Sequence, residues 1–169
     1  MAVLPILHHP DPRLRQRTPP VTDFGAELQR LVEDMFETMY AAPGVGLAAN
    51  QVGVPLRLAV MDCSPDKAQP QPMVMANPVI LHSAEPELME EGCLSVPGAQ
   101  EKVRRFRRLR VRAQDRHGQF YELEAEGLLA QCIQHELGHL DGQLYIDLLS
   151  ELKRSRLLKK LQKADAREA

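Results

Sequence analysis

His135, Glu136 and His139 have the types and spacing best suited to chemistry in this chain. Two histidines four apart on a helix lie on one face, about a turn apart, and can hold one metal ion. A glutamate beside the first is placed to move protons at that metal rather than to ligate it. The run His135-Glu136-Leu137-Gly138-His139 therefore points to metal-assisted hydrolysis. The blander alternative is an exposed helix that carries two histidines by chance.

A hydrolytic metal site needs three protein ligands and an open position for water. Cys132 shares the helix face, but it is seven residues from His139, about 10.5 Å along the axis. Bonds of about 2.0–2.3 Å cannot span that while His135 also binds, so the third ligand comes from elsewhere. Proteases of this kind with a third histidine place it six residues after the second, where this chain has Tyr145. Glu151 is available but belongs to an amphipathic helix. Cys93 is the better choice. It lies in Glu91-Gly92-Cys93-Leu94-Ser95, after an expected strand and beside a glycine that permits close backbone approach. A lone cysteine is more often a small buried apolar residue.

A second constellation is Gly44-Val45-Gly46-Leu47-Ala48-Ala49-Asn50-Gln51. Gly44 and Gly46 flank Val45, so backbone there can lie against a substrate, and Gln51 offers a neutral amide donor. Hydrolases need such donors where an oxyanion develops. The competing reading is a helix-to-strand turn with small residues for packing.

Positioning these residues requires a frame. The spacing of Leu28, Leu31, Val32, Met35, Phe36 and Met39 predicts a helix over Phe24–Ala41, with Asp23 as its N-cap and Pro43-Gly44 as its stop. The residues before it, Val3–Leu14, read as an extended arm. Strands are expected at Leu56–Met61, Met73–Asn77, Val79–His82 and Glu87–Glu91, with a polar loop at Pro65–Pro72. Leu109–Gln114 and Gln119–Ala125 form a hairpin closed by Asp115–Gly118. The metal-site helix runs from Leu128 to His139 and ends at Asp141-Gly142. A terminal amphipathic helix runs from Glu151 to about Ala166, apolar at Leu152, Leu157, Leu158 and Leu161. Strands in the middle and helices at the ends make an α+β pattern rather than alternating βαβ units.

With 169 residues the chain fits a single domain, residues 1–169, the last of them (151–169) forming the terminal helix. The 44% hydrophobic and 26% charged fractions are those of an ordinary globular protein, and the net charge of −2 indicates neither DNA nor membrane binding. No signal peptide or membrane span is visible. Three cysteines without a secretion signal fit a reducing cytoplasm.

The Gly44–Gln51 loop, the Glu91–Ser95 segment and Gln134-His135-Glu136-Leu137-Gly138-His139, in this order, closely resemble the peptide deformylase family. The resemblance runs from His8-His9-Pro10 to the terminal helix and looks like the Gram-negative form. It implies a compact α+β domain with antiparallel sheets packed around the metal-bearing helix. The implied activity removes the N-formyl group from formyl-methionine of new polypeptides and releases formate. It implies Cys93, His135 and His139 as metal ligands, usually to Fe²⁺, with Zn²⁺, Ni²⁺ or Co²⁺ in purified protein. Glu136 becomes the base, and the Gln51 side chain and Leu94 backbone N–H become oxyanion donors. Val45, Met89, Leu128 and Cys132 match positions that line the methionine pocket; for Met89 and Leu128 ordinary core is the competing reading.

The chain departs from the family at Gly138, usually acidic, and at Gln100, often arginine. Arg105 matches, and is expected to pair with Glu91. The basic run Lys102–Arg112 has Arg108, Arg110 and Arg112 alternating with Leu109 and Val111, as on one wet strand face; an RNA-facing patch is the sharper alternative. The terminal helix carries Lys153, Arg154, Arg156, Lys159, Lys160, Lys163 and Arg167, and by resemblance docks near the ribosomal exit. The competing functions are a zinc endopeptidase, disfavoured by Tyr145, Cys93 and Gln51, and a relative that only binds.

Overall fold

Leu28, Val32, Met35 and Met39 form the buried stripe of α1 (Ala26–Ala41) in the computed structural model. The structure describes residues 2–168, and side chains through Ala164; the side chain of Arg167 lies outside the described residues. The helix starts later than its expected cap. Asp23 accepts a hydrogen bond from Gly25 N at 2.9 Å and closes a local turn, so Gly25 takes the N-cap position. At the other end Gly44 N donates to Met39 O at 2.8 Å.

One five-stranded antiparallel sheet follows, in the order β1-β2-β3-β4-β5. Its strands are β1 (Gly46–Ala48), β2 (Leu58–Met61), β3 (Met73–Cys93), β4 (Val96–Gln114) and β5 (Phe120–Glu126). The antiparallel strands expected from the sequence thus lie in a single sheet. It also joins three predicted strands into β3. Asn77 and Glu85 take positive φ of 51° and 60° there, and the pairing with β4 shifts register between Ala76 and Val79 and between Ile80 and His82. The prolines at 78 and 86 mark these irregularities without ending the strand.

β2 is buried on both faces. Ala59 and Met61 face the helix α2 (Leu128–Leu140), packing with Met75, Val111, Ala130 and Ile133. Leu58 and Val60 point the other way, into the cluster made by Leu28, Val32, Met35 and Met39 of α1. Period-two alternation on one short strand thus joins the two layers. A third cluster, Val103, Leu144, Tyr145, Ile146 and Leu157, seats the start of α3 (Glu151–Glu168).

α2 is anchored where the candidate ligands His135 and His139 stand. Gly127 makes the turn into it with φ +64°. Gln134 clamps it to β4, accepting from Phe106 N at 2.9 Å and donating to Phe106 O at 2.8 Å. Its C-terminus closes with Gln143 N on Gly138 O and Gly142 N on His139 O, at 2.8 and 2.9 Å. Gly142 has φ +77°, and a Cβ there would lie 2.4 Å from Arg15 O, so no other residue fits without movement. Gly138 has no such requirement: a Cβ would meet nothing closer than Gln143 O at 3.7 Å.

Candidate metal centre

β3 and β4 meet at the Leu94-Ser95 turn, which delivers Cys93 to the histidines of α2. Cys93 Sγ lies 3.3 Å from His139 Nε2, and His139 Nε2 lies 3.2 Å from His135 Nε2. The ligand atoms of Cys93, His135 and His139 are all within 4.8 Å of one another, the only such group of three or more His, Cys, Asp or Glu among the described residues. A soft thiolate and two imidazoles form a donor set suited to zinc or iron.

The surroundings orient those donors. Glu91 accepts a very short hydrogen bond from His135 Nδ1 and is itself held by Arg105, whose Nε and one terminal nitrogen donate to its two oxygens at 2.9 and 2.5 Å. This fixes the His135 ring so that Nε2 faces the site. Burial alone would raise the Glu91 carboxyl; the hydrogen bonds from Arg105 and His135 outweigh it and hold the carboxyl at about 2. Burial opposes a charge on His135, but its contacts with Cys93 and Glu91 overcome that and favour the protonated ring. A metal cation held by Cys93 and His135 would take the place of that proton. Burial keeps His139 neutral, the form a ligand requires. Asn50 Nδ2 donates to His139 O at 2.5 Å and ties this end of α2 to the Gly44–Gln51 loop.

Arg105 is a positioning residue with a measurable effect. Arg105→Ala leaves Glu91, 6% exposed, without its cation. Breaking a buried pair in this way costs about 3–5 kcal/mol of stability, and losing such a partner weakens metal affinity by about 10–100-fold. The expected result is a lower melting temperature and less metal retained after dialysis against a chelator. Arg105→Lys, which keeps charge but not the two-pronged geometry, falls between. Unchanged metal content and activity in Arg105→Ala would remove Arg105 from this role.

A cavity of about 700 Å³ opens over the centre. Of the residues singled out from the sequence, Gly44, Val45, Gly46, Gln51, Cys93 and Leu94 line it, as do Leu128, Cys132, His135 and Glu136 of α2. His139 lies beneath, fully buried. Met89 is not brought to the cavity; it sits in β3 opposite Val103. Gly46 has a packing reason: its absent Cβ would stand 2.6 Å from Glu136 Oε2 and 2.7 Å from Cys132 Sγ. At Gly44 a Cβ would stand 2.8 Å from Leu94 Cδ1. The two glycines thus let the Gly44–Gln51 loop close onto α2 and the Leu94 turn.

Glu136 is 2% exposed, and burial pushes its carboxyl up to about 7. Gln51 accepts from Ala48 N at 2.9 Å through Oε1. Its amide NH₂ therefore points the other way, donating to Ser95 Oγ at 3.0 Å and lying 3.8 Å from Cys93 Sγ. The arrangement combines a candidate cation site, a buried carboxyl and a fixed amide donor at one cavity floor, which suits the hydrolysis of an amide.

Some parts escaped sequence reasoning. The Glu91–His135 bond, the Asn50 anchor and the Ser95 acceptor all join segments far apart in the chain. For Glu91 the available signal was a carboxylate two residues before a candidate ligand and an arginine expected to pair with it. The alternating arginines are largely occupied: Arg108 pairs with Glu85 and Glu126, Arg110 with Glu122, and Arg112 lies 4.5 Å over the Phe120 ring. They form a solvated ladder across β4 and β5.

Residues 3–155 match the family model described as polypeptide deformylase. A peptide deformylase of Hahella chejuensis is 56% identical over 164 residues, 96% of each chain. The fold is similar to the crystal structure of a peptide deformylase from Legionella pneumophila, with a TM-score of 0.93 and 48% identity over 99% of this chain and 98% of that one. It is similar as well to peptide deformylase from Ehrlichia chaffeensis in complex with actinonin, with a TM-score of 0.89 and 38% identity over 97% and 98% of the two chains.

Proposed function

The chain belongs to the polypeptide deformylase family, and on that premise we propose how its own residues carry out the reaction. It is a metal-dependent hydrolase that removes the N-formyl group from nascent peptides. The observation that supports our assignment of roles is the gathering of Cys93, His135 and His139 within 4.8 Å at the floor of a cavity that Glu136 and Gln51 also face.

Cys93 Sγ, His135 Nε2 and His139 Nε2 would hold the metal, with Glu91 orienting His135. Such an ion, when bound, acidifies water toward neutral pH and polarises a carbonyl. Glu136 takes the proton from the attacking water and gives it to the departing amine. The Gln51 amide and the Leu94 N–H stabilise charge on the formyl oxygen. Val45, Leu128 and Cys132 form the apolar wall for the methionine side chain, and Gly44 and Gly46 leave room beside it for peptide backbone.

Fe²⁺ is the working ion in this reading, with Zn²⁺, Ni²⁺ or Co²⁺ able to replace it in purified protein. The support is the family resemblance together with a mixed thiolate–imidazole set that suits iron as well as zinc. Anaerobic protein with quantified iron is expected to release formate from formyl-Met-Ala-Ser and to lose that activity quickly in air, since ferrous iron and its thiolate ligand both oxidise. The Ni²⁺ and Zn²⁺ forms are expected to last longer. Equal air stability of all forms would reject iron. A thiolate-ligated metal suits a reducing compartment, which supports our assignment of the enzyme to the cytoplasm; no described helix is long and apolar enough to cross a membrane.

Nascent chains are met at the ribosome, and α3 is the surface we assign to docking there. Leu157 anchors the helix, while Lys153, Arg156, Lys159, Lys160 and Lys163 are exposed. Binding of this kind is salt-sensitive. Cosedimentation with ribosomes is expected at low salt and lost on truncation after Ser150; an unchanged profile would reject the assignment.

A further inference from the structure

Cys63 and Cys132 have no part in holding the metal, yet they meet behind the cavity wall. Ala59 and Met61 of β2 belong to the cluster that also holds Cys132 and Ile133 of α2, and Cys63, two residues past the end of β2, packs against it. The backbone confirms the approach: Val45 O accepts from Asp62 N at 2.8 Å and from Cys132 Sγ at 3.7 Å. Residue 62 and the Cys132 sulfur therefore share one carbonyl. The two thiols also engage each other: contact with Cys132 eases loss of the Cys63 proton, and the same contact together with burial raises the Cys132 thiol. Cys63 is half-buried and Cys132 is 5% exposed, and both are free thiols.

We propose that Cys63 and Cys132 are an oxidation site, a dithiol that hydrogen peroxide converts to a disulfide and thereby reshapes the wall of the substrate cavity. Cys63, the more accessible sulfur, attacks the peroxide O–O bond, forming a sulfenic acid and releasing one water. The Cys132 thiol then attacks that sulfur, the S–S bond forms, and the sulfenic oxygen leaves as a second water. Two thiols are oxidised by two electrons, and one peroxide is reduced to two waters. A disulfide of about 2.0 Å is far shorter than any contact between separate thiols. Closing it draws the Cys132 sulfur toward Cys63 and removes its hydrogen bond to Val45. Cytoplasmic disulfides of this sort are transient and redox-sensing rather than structural.

The effect on catalysis rests on the assignment of Cys132 to the methionine pocket; formation of the disulfide does not. The test uses Zn²⁺-loaded enzyme, so that no ferrous ion reacts with the oxidant. After mild peroxide treatment, peptide mapping without reduction is expected to show a peptide containing Cys63 linked to one containing Cys132. The value of kcat/KM for formyl-Met-Ala-Ser is expected to fall about tenfold or more, as for a poorly fitted apolar pocket. Dithiothreitol restores it with zinc retained throughout. Cys63→Ala keeps the untreated activity and loses both the cross-link and the reversible inhibition. Absence of the cross-link, or oxidation confined to Cys93, overturns the site. A cross-link that leaves kcat/KM unchanged overturns its control of the cavity, while formate release before treatment reports separately on the deformylase reading.

Discussion

Glu136→Gln is expected to cut kcat for formyl-Met-Ala-Ser by about 10²–10⁴-fold while the metal stays bound. Among the described residues Glu136 Oε1 is buried without a hydrogen-bond partner, so the carboxylate is poorly solvated. Burial lifts its carboxyl to about 7, against the pull of the neighbouring His135. A group in that range can both take and return a proton near neutral pH. Glutamine fills the same space beneath Gly46 but carries no exchangeable carboxyl proton. The loss is therefore expected in kcat, with KM and metal content nearly unchanged. A variant that turned over at the wild-type rate would eliminate Glu136 as the proton carrier. A second measurement uses the metal-free protein. Its folded carboxyl holds a proton that the unfolded chain releases near 4.5. Stability from this group is thus complete below about 4.5 and is lost as pH rises through about 7. The amount is on the order of 3 kcal/mol. Urea unfolding across that window is expected to show the decline in the wild type and a shallower one in Glu136→Gln.

Helices and ligands were easier to read from the sequence than the sheet, for a physical reason. A helix writes its contacts within four residues, so the stripe of α1 and the His135–His139 pair are visible locally. A strand's partners lie elsewhere in the chain. β1 has only three residues, too few for a period to emerge, and it hides inside a glycine loop. β3 carries two positive-φ residues and two prolines that read as ends, but its pairing with β4 continues across them. The misplaced cap of α1 has a similar origin: Asp23 is a good capping residue, and its carboxylate is spent on a turn two residues upstream of the helix. In the site, Cys93 is legible because two imidazoles leave a coordination need. No comparable shortage pointed to Asn50 or Ser95, whose partners are a backbone carbonyl and a side chain distant in sequence.

Gln51→Ala is expected to lower kcat by about 10²–10³-fold, equivalent to about 2.7–4 kcal/mol of lost transition-state stabilisation. The structure separates this from a simple loss of packing. Gln51 is 1% exposed and uses both ends of its amide. Oε1 satisfies Ala48 N, which sets the direction of the NH₂ toward Ser95 and Cys93 at the cavity floor. Alanine removes both functions: the donor, and the acceptor whose loss leaves a buried N–H unpaired at about 1–3 kcal/mol of stability. Gln51→Glu divides them. Its carboxylate still accepts from Ala48 N but offers no donor to a developing oxyanion and adds negative charge beside the Cys93 thiolate. Stability near that of the wild type with a kcat at least as low as in Gln51→Ala would assign the loss to the missing donor. Recovery of turnover in Gln51→Glu would instead mean that Gln51 acts by holding the Ala48 loop in place.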